Sequence, residues 1–82
     1  MEDLADRRRL LRDAVVAYLV KHPAASDTAE GICRWWLRPS GYEDDVTIVE
    51  GALVELVGAR KMQRRELPDG GVVYFASRGS GE

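Results

Sequence analysis

The side chains that most often carry catalysis or bind metals are scarce in this sequence. His22 is its only histidine and Cys33 its only cysteine, and their settings do not suggest a nucleophile–base pair. No Cys, His or carboxylate cluster at metal-ligand spacing accompanies His22. Gly70-Gly71 belongs to a turn sequence rather than to a phosphate-binding loop. We therefore expect no catalysis, no cofactor and no bound metal.

Arginines are the side chains with the most evident chemistry. A run near the N-terminus contains Arg7, Arg8, Arg9 and Arg12, and three acids lie among them, Asp3, Asp6 and Asp13. At helical spacing the arginines spread around the helix instead of forming one row. A solvated surface that compensates its own charge is one interpretation of this pattern. Contact with phosphate is the alternative.

The composition indicates one small folded domain without a strong basic field. The 82 residues are 45% apolar and 32% charged, with a formal net charge of −2 and a pI of about 5.4. A chain of this length has room for one domain. Domains that bind duplex DNA usually carry net positive charge, because much of their affinity comes from neutralising phosphates. Nucleic acid is therefore the disfavoured partner, although a local basic patch is compatible with this total.

The same features predict a cytoplasmic protein without a membrane segment. One cysteine excludes an intrachain disulfide and indicates a reducing compartment. No stretch approaches the roughly 18 apolar residues of a membrane span, and the N-terminus lacks the apolar region of a secretory signal. We expect one domain over residues 1–77 and a flexible tail over residues 78–82.

Apolar periodicity predicts a first helix over residues 3–21, ending at His22 because Pro23 disfavours helical geometry in the residue before it. The expected core face consists of Leu4, Leu11, Val15, Tyr18 and Leu19. Val16 and Val20 lie away from that face. Either the helix is buried on two sides or these two valines meet a partner.

A second helix is predicted to start at Asp27, with Glu30 completing a capping box, and to run to about Leu37. The expected core residues are Ala29, Ile32, Cys33, Trp36 and Leu37. Adjacent tryptophans cannot both occupy the centre of a buried stripe, so Trp35 is assigned to a partly exposed position. It either covers the first helix or serves as an aromatic anchor for a partner, together with Arg34 and Arg38.

The third predicted helix, Asp45–Arg60, has the strongest period, and Ser40 with Glu43 could cap it. Its core stripe is Val46, Val49, Leu53, Leu56 and Val57. Its opposite face consists of Thr47, Gly51, Val54, Glu55 and Gly58. Glycines within a helix are costly, which suggests that a partner approaches this ridge of small residues closely. Alternatively, Gly58 forms a left-handed C-cap and Gly51 faces the first helix.

Two strand-like runs, 61–67 and 72–76, flank Pro68-Asp69-Gly70-Gly71 and predict a β-hairpin. With a two-residue loop, we expect Met62 and Phe75 to face the core. A bulged loop would change that register.

The predicted order of elements resembles that of the winged helix-turn-helix superfamily. It consists of two helices, a short turn, a third helix and a hairpin with an Asp-Gly turn. The segment ALVELVGARKMQRRELPDGGVVYFA is similar to the junction between recognition helix and wing in many bacterial winged-helix regulators. Those proteins usually carry Gly and then aliphatic residues where this chain has Arg60, Lys61 and Met62. The resemblance implies an α+β fold of three helices with a C-terminal antiparallel hairpin as the wing.

In DNA-binding members the exposed face of the third helix reads bases and the wing contacts phosphate. Here that face offers only Thr47 and Glu55 as side-chain hydrogen-bonding groups, without the Arg, Asn or Gln that pair with base edges. The leading hypothesis is therefore a non-catalytic domain that binds another protein or a second copy of itself. It would use the exposed face of the third helix and the Trp35 edge.

The alternative hypothesis is a DNA-binding transcriptional regulator that relies on basic side chains of the wing and of the first helix. The wing residues concerned are Lys61, Arg64, Arg65 and Arg78.

Overall fold

The computed structural model describes residues 3–77, which form an α+β fold with a three-stranded antiparallel sheet. In chain order the elements are α1 (Leu4–Lys21), β1 (Ser26–Asp27), α2 (Ala29–Gly31), a π-helix (Ile32–Leu37), a 3-10 helix (Arg38–Ser40), α3 (Val46–Gly58), β2 (Met62–Glu66) and β3 (Val72–Ala76). The segment from α2 to the 3-10 helix is continuous and forms the second of three helices. The predicted tail, 78–82, lies outside the described residues.

The first helix begins where the Asp3 carboxylate accepts a hydrogen bond from the Ala5 amide, and it ends at His22, as predicted. Leu11, Val15 and Leu19 are buried in the core. Leu4 was expected there but is the first residue of the helix and remains 51% exposed.

The second helix differs from the prediction in its cap and in its hydrogen bonding. Thr28, and not Asp27, is the N-cap: its hydroxyl accepts from the Gly31 amide at 3.1 Å, while Asp27 belongs to β1. The next six residues, Ile32–Leu37, form a π-helix, the helix type whose hydrogen bonds span five residues; the Arg38 amide, for example, donates to the Cys33 carbonyl. The helical segment ends at Gly41, whose φ of 93° is readily adopted by glycine.

The third helix is capped by Asp45, whose carboxylate accepts from the Thr47 amide; the predicted Ser40/Glu43 box does not form. The Ser40 hydroxyl instead donates to the Trp36 carbonyl, because Ser40 still belongs to the preceding 3-10 helix. On the inner face of α3, the residues Val49, Ala52, Leu53 and Leu56 are buried, and Val46 and Val57 are half-buried.

The C-terminus of α3 closes in a Schellman motif. The Lys61 amide donates to the Leu56 carbonyl and the Arg60 amide to the Val57 carbonyl. This motif places Arg60 in the left-handed region, with a φ of 63°. The left-handed residue is therefore Arg60 and not Gly58.

The sheet has the order β1-β3-β2, and β1 was not predicted. The hairpin loop contains three residues between paired Leu67 and Gly71, since the Leu67 amide donates to the Gly71 carbonyl and Gly70 adopts a φ of 92°. The longer loop shifts the register by one residue and pairs Met62 with Ala76. Met62 is buried as expected, but Tyr74 and not Phe75 is the buried aromatic of β3.

All three helices and the sheet contribute to one core. Its buried members are Leu11, Val15, Leu19, Ala29, Ile32, Trp36, Leu37, Val49, Ala52, Leu53, Leu56, Met62 and Tyr74. Within residues 3–77, no helix has the length and apolar character needed to cross a membrane.

Candidate protein-interaction surface

The solvent side of α3 is formed by small and acidic residues. Thr47, Glu50, Val54 and Gly58 are exposed, and Val54 keeps 60% of its surface accessible. Gly51 and Glu55 are half-buried because they lie on the side that faces α1. The predicted ridge is thus divided between an open strip and an edge in contact with α1. Glu50, four residues before Val54, was missed by the prediction, although its helical spacing places it beside that strip.

Glu55 joins α3 to α1. Its carboxylate accepts hydrogen bonds from Arg8 Nε, at 2.8 Å, and from Arg12. Partial burial of the Glu55 carboxylate raises its pKa, but the hydrogen bonds and positive charges of Arg8 and Arg12 outweigh this effect and hold the pKa below its ordinary value. Glu55 therefore holds α1 and α3 together through both of its carboxylate oxygens.

The remaining arginines of the N-terminal run also meet carboxylates. Arg7 pairs with Asp44 through two hydrogen bonds, and Nε lies 3.1 Å from the Asp44 carboxylate. Arg9 lies 3.9 Å from Asp6. The positive charge of this run is therefore balanced within the protein. Most of the balancing carboxylates, those of Asp44 and Glu55, lie far away in the sequence and not among the acids of the same helix. No local signal in the sequence identifies Asp44 as the partner of Arg7.

The second helix separates its two tryptophans as predicted. Trp36 is buried, and its ring stacks on Tyr18 with centroids 4.5 Å apart and planes inclined by 12°. Trp35 is 63% exposed. Cys33, expected in the core, is half-buried, and its thiol donates to the Asp44 carbonyl at 3.3 Å.

The exposed edge around Trp35 includes Arg34 and Arg38, both exposed, and Arg38 lies 3.6 Å from Glu43. No hydrogen bond or ion pair between described residues joins Arg34, Trp35 or Arg38 to α3. The Trp35 edge and the open strip of α3 lie on different helices, and no hydrogen bond or ion pair between described residues connects them.

The basic residues near the hairpin are exposed. Lys61 and Arg65 form no ion pair with any residue in the described part of the chain, and Arg64 lies 3.7 Å from Glu66. Arg78, predicted with them as a phosphate contact, is outside the described residues. Met62, between these cations, points into the core.

Among residues 3–77, no group of three or more His, Cys, Asp or Glu side chains is placed to hold a metal ion. Comparison of the chain with protein-family models, with curated proteins and with solved structures gave no match.

Proposed function

We propose that this chain is a non-catalytic winged-helix domain that binds another protein through the open strip of α3. The arrangement of three helices followed by an antiparallel hairpin is compatible with the winged-helix layout. In that layout the strip would take the place of the base-reading surface.

The observation that carries the proposal is the chemistry of this strip. No Lys or Arg occurs between Val46 and Gly58, and Glu50 is exposed there. Such a strip offers phosphates no positive charge of its own, and bases would find few hydrogen-bonding groups on it. Val54, in contrast, offers exposed aliphatic surface between Gly51 and Gly58. Gly58 beside it, where an added Cβ would meet no atom within 4 Å, allows a partner's backbone to approach closely, whereas Gly51 is already covered by Arg8.

The Trp35 edge is proposed as a second part of the interface. A tryptophan with 63% of its surface in solvent gains substantial apolar burial when a partner covers it. Arg34 and Arg38 beside it are of the residue type enriched, with tryptophan, at binding hot spots.

The test replaces Val54 with arginine and follows partner binding. Val54→Arg introduces bulk and a cation at an exposed position, so folding should be retained while binding is lost. Leu10→Arg is the matched control, because Leu10 is an exposed aliphatic residue of α1 with 51% accessibility. Both variants and the wild type serve as bait for quantitative capture from lysate and are examined by sedimentation velocity. The proposal fails if Val54→Arg retains the binding of the wild type.

DNA binding is a second candidate because Lys61 and Arg65 are exposed without ion-pair partners among the described residues. A transcriptional regulator of this kind would bind through the hairpin alone, since the arginines of α1 are held by Asp44, Glu55 and Asp6. A mobility-shift assay with duplex DNA at about 50 mM salt tests it. Salt-dependent binding that is lost in an Arg64→Ala/Arg65→Ala double variant would favour this candidate over the first.

A further inference from the structure

An apolar groove lies between the C-terminal half of α1 and the ends of the hairpin strands. Its volume is about 330 Å³, and it is lined by Val16, Leu19, Val20, Arg60, Lys61, Ala76 and Ser77. Val20 is 76% exposed, although it belongs to an aliphatic surface shared with Val16 and Leu19. Of the two valines predicted to lie away from the core face, Val20 is therefore accessible in the groove, and Val16 is half-buried there because it also packs against the core.

Two cations accompany this apolar surface. Arg60 and Lys61 are exposed and form no ion pair within the described part of the chain. Arg60 is also the residue held in the left-handed conformation, where glycine would avoid the steric cost. Residues in such conformations cluster at functional sites, and here the strained position supplies a positive charge to the groove.

The open strip of α3 has the complementary character. It presents Val54 as an exposed aliphatic side chain and Glu50 as an exposed acid, and none of its own residues is a cation; Arg64, which lines the same depression as Glu50, lies 3.7 Å from Glu66. Its small residues permit close approach, and the groove offers an apolar concavity bounded by positive charge. Complementary potentials of this kind direct association and set its register.

We propose that the groove of one copy receives the open strip of α3 from a second copy of this chain. Val54 would lie against Val16 and Val20 of the neighbouring copy, with Glu50 near that copy's Arg60 and Lys61. The contact joins two different surfaces, so it is heterologous and leaves one groove and one strip free at the ends of each assembly. Such contacts form rings when the rotation closes and open chains when it does not. This inference rests on the proposed function, since it names the partner of the same strip.

The test combines two variants that disable different surfaces. Val54→Arg disables the strip and leaves the groove intact, whereas Lys61→Glu reverses a charge of the groove and leaves the strip intact. Sedimentation of wild type from about 10 µM to about 1 mM should show concentration-dependent association. Each variant alone should associate at least about tenfold more weakly, because like charges are brought together.

An equimolar mixture of the two variants should form a 1:1 complex that does not grow further, because one intact strip meets one intact groove. Arg65→Glu, with the same charge change on the hairpin outside the groove, should associate like the wild type. Circular dichroism checks that each variant is folded.

Three results would overturn the inference. These are a wild-type monomer across the whole concentration series, association of Lys61→Glu equal to that of wild type, or a mixture without a 1:1 complex. A monomeric wild type whose capture of another protein is lost in Val54→Arg would reject self-association and leave the proposed function standing. A monomer that captures no protein would reject both.

Discussion

The side chain of Arg8 lies against the backbone of Gly51: a Cβ atom added at Gly51 would stand 3.0 Å from Arg8 Cδ. The same Arg8 donates to Glu55, one turn further along α3. Close contact between α1 and α3 therefore uses the absence of a side chain at Gly51, as the alternative interpretation of that glycine expected. A Cβ at Gly58, in contrast, meets no atom within 4 Å.

Alanine at the two glycines should have unequal effects. Gly58→Ala should raise the free energy of unfolding by about 0.5 to 1 kcal/mol, because alanine favours helix and nothing obstructs its methyl group. Gly51→Ala should gain less, since Arg8 must move while bound to Glu55. Urea denaturation measures both. In an Arg8→Ala background the two gains should become equal; equal gains already in the wild-type background would contradict the contact.

The carboxylate of Glu55 should contribute to the pH dependence of stability. Its pKa in the folded state is lowered from the ordinary value of 4.5, so its stabilising contribution is complete above that value and is lost as the pH falls through the lowered pKa. Glu55→Gln should therefore reduce the loss of stability on acidification. Glu50→Gln, which leaves the contacts of Arg8 and Arg12 intact, is the matched control. Denaturation curves between about pH 7 and about pH 3 measure the difference, and identical slopes for Glu55→Gln and wild type would refute it.

Arg60 should be a site where glycine stabilises the protein. Arg60→Gly relieves the left-handed backbone and should raise the free energy of unfolding by about 0.5 to 1 kcal/mol. Arg60→Ala removes the charge but keeps the steric cost, so it should show no such gain. Thermal and urea unfolding separate the two effects. A gain from alanine as large as that from glycine would show that the charge, and not the backbone, causes the cost.

The two tryptophans should differ strongly in their effect on stability. Trp36→Ala removes a buried ring stacked on Tyr18 and should cost about 3 to 5 kcal/mol. Trp35→Ala removes an exposed ring and should change the free energy of unfolding by less than about 0.5 kcal/mol. Thermal melts followed by circular dichroism make the comparison. A large cost at Trp35 would mean that its ring supports the fold.

The elements with a strong local signal were predictable. The apolar periods of α1 and α3 gave their positions to within a few residues, and spacing on the second helix assigned Trp36 to the core and Trp35 to the surface. Asp69-Gly70 located the hairpin. In each case the deciding information lies within a few neighbouring residues.

Features that depend on contacts between distant residues, or on whether a loop has one residue more or less, were not predictable. The partners of Arg7 and Arg8 lie 37 and 47 residues away. One additional residue in the hairpin loop exchanged Phe75 for Tyr74 in the core. Strand β1 is too short, at two residues, to show an alternating pattern. On the candidate surface, the sequence identified Val54 and the small residues and gave contact of Gly51 with the first helix as an alternative, but only the fold shows that Glu55 also faces α1.

The π-helix has a consequence for how chain length varies within this architecture. A π-turn contains about one residue more than an α-turn. Removal of one amino acid between Ile32 and Leu37 would convert the wide turn to ordinary α-helical geometry and leave both flanks in place. Homologous chains with the same topology should therefore tolerate a single-residue gap at this point.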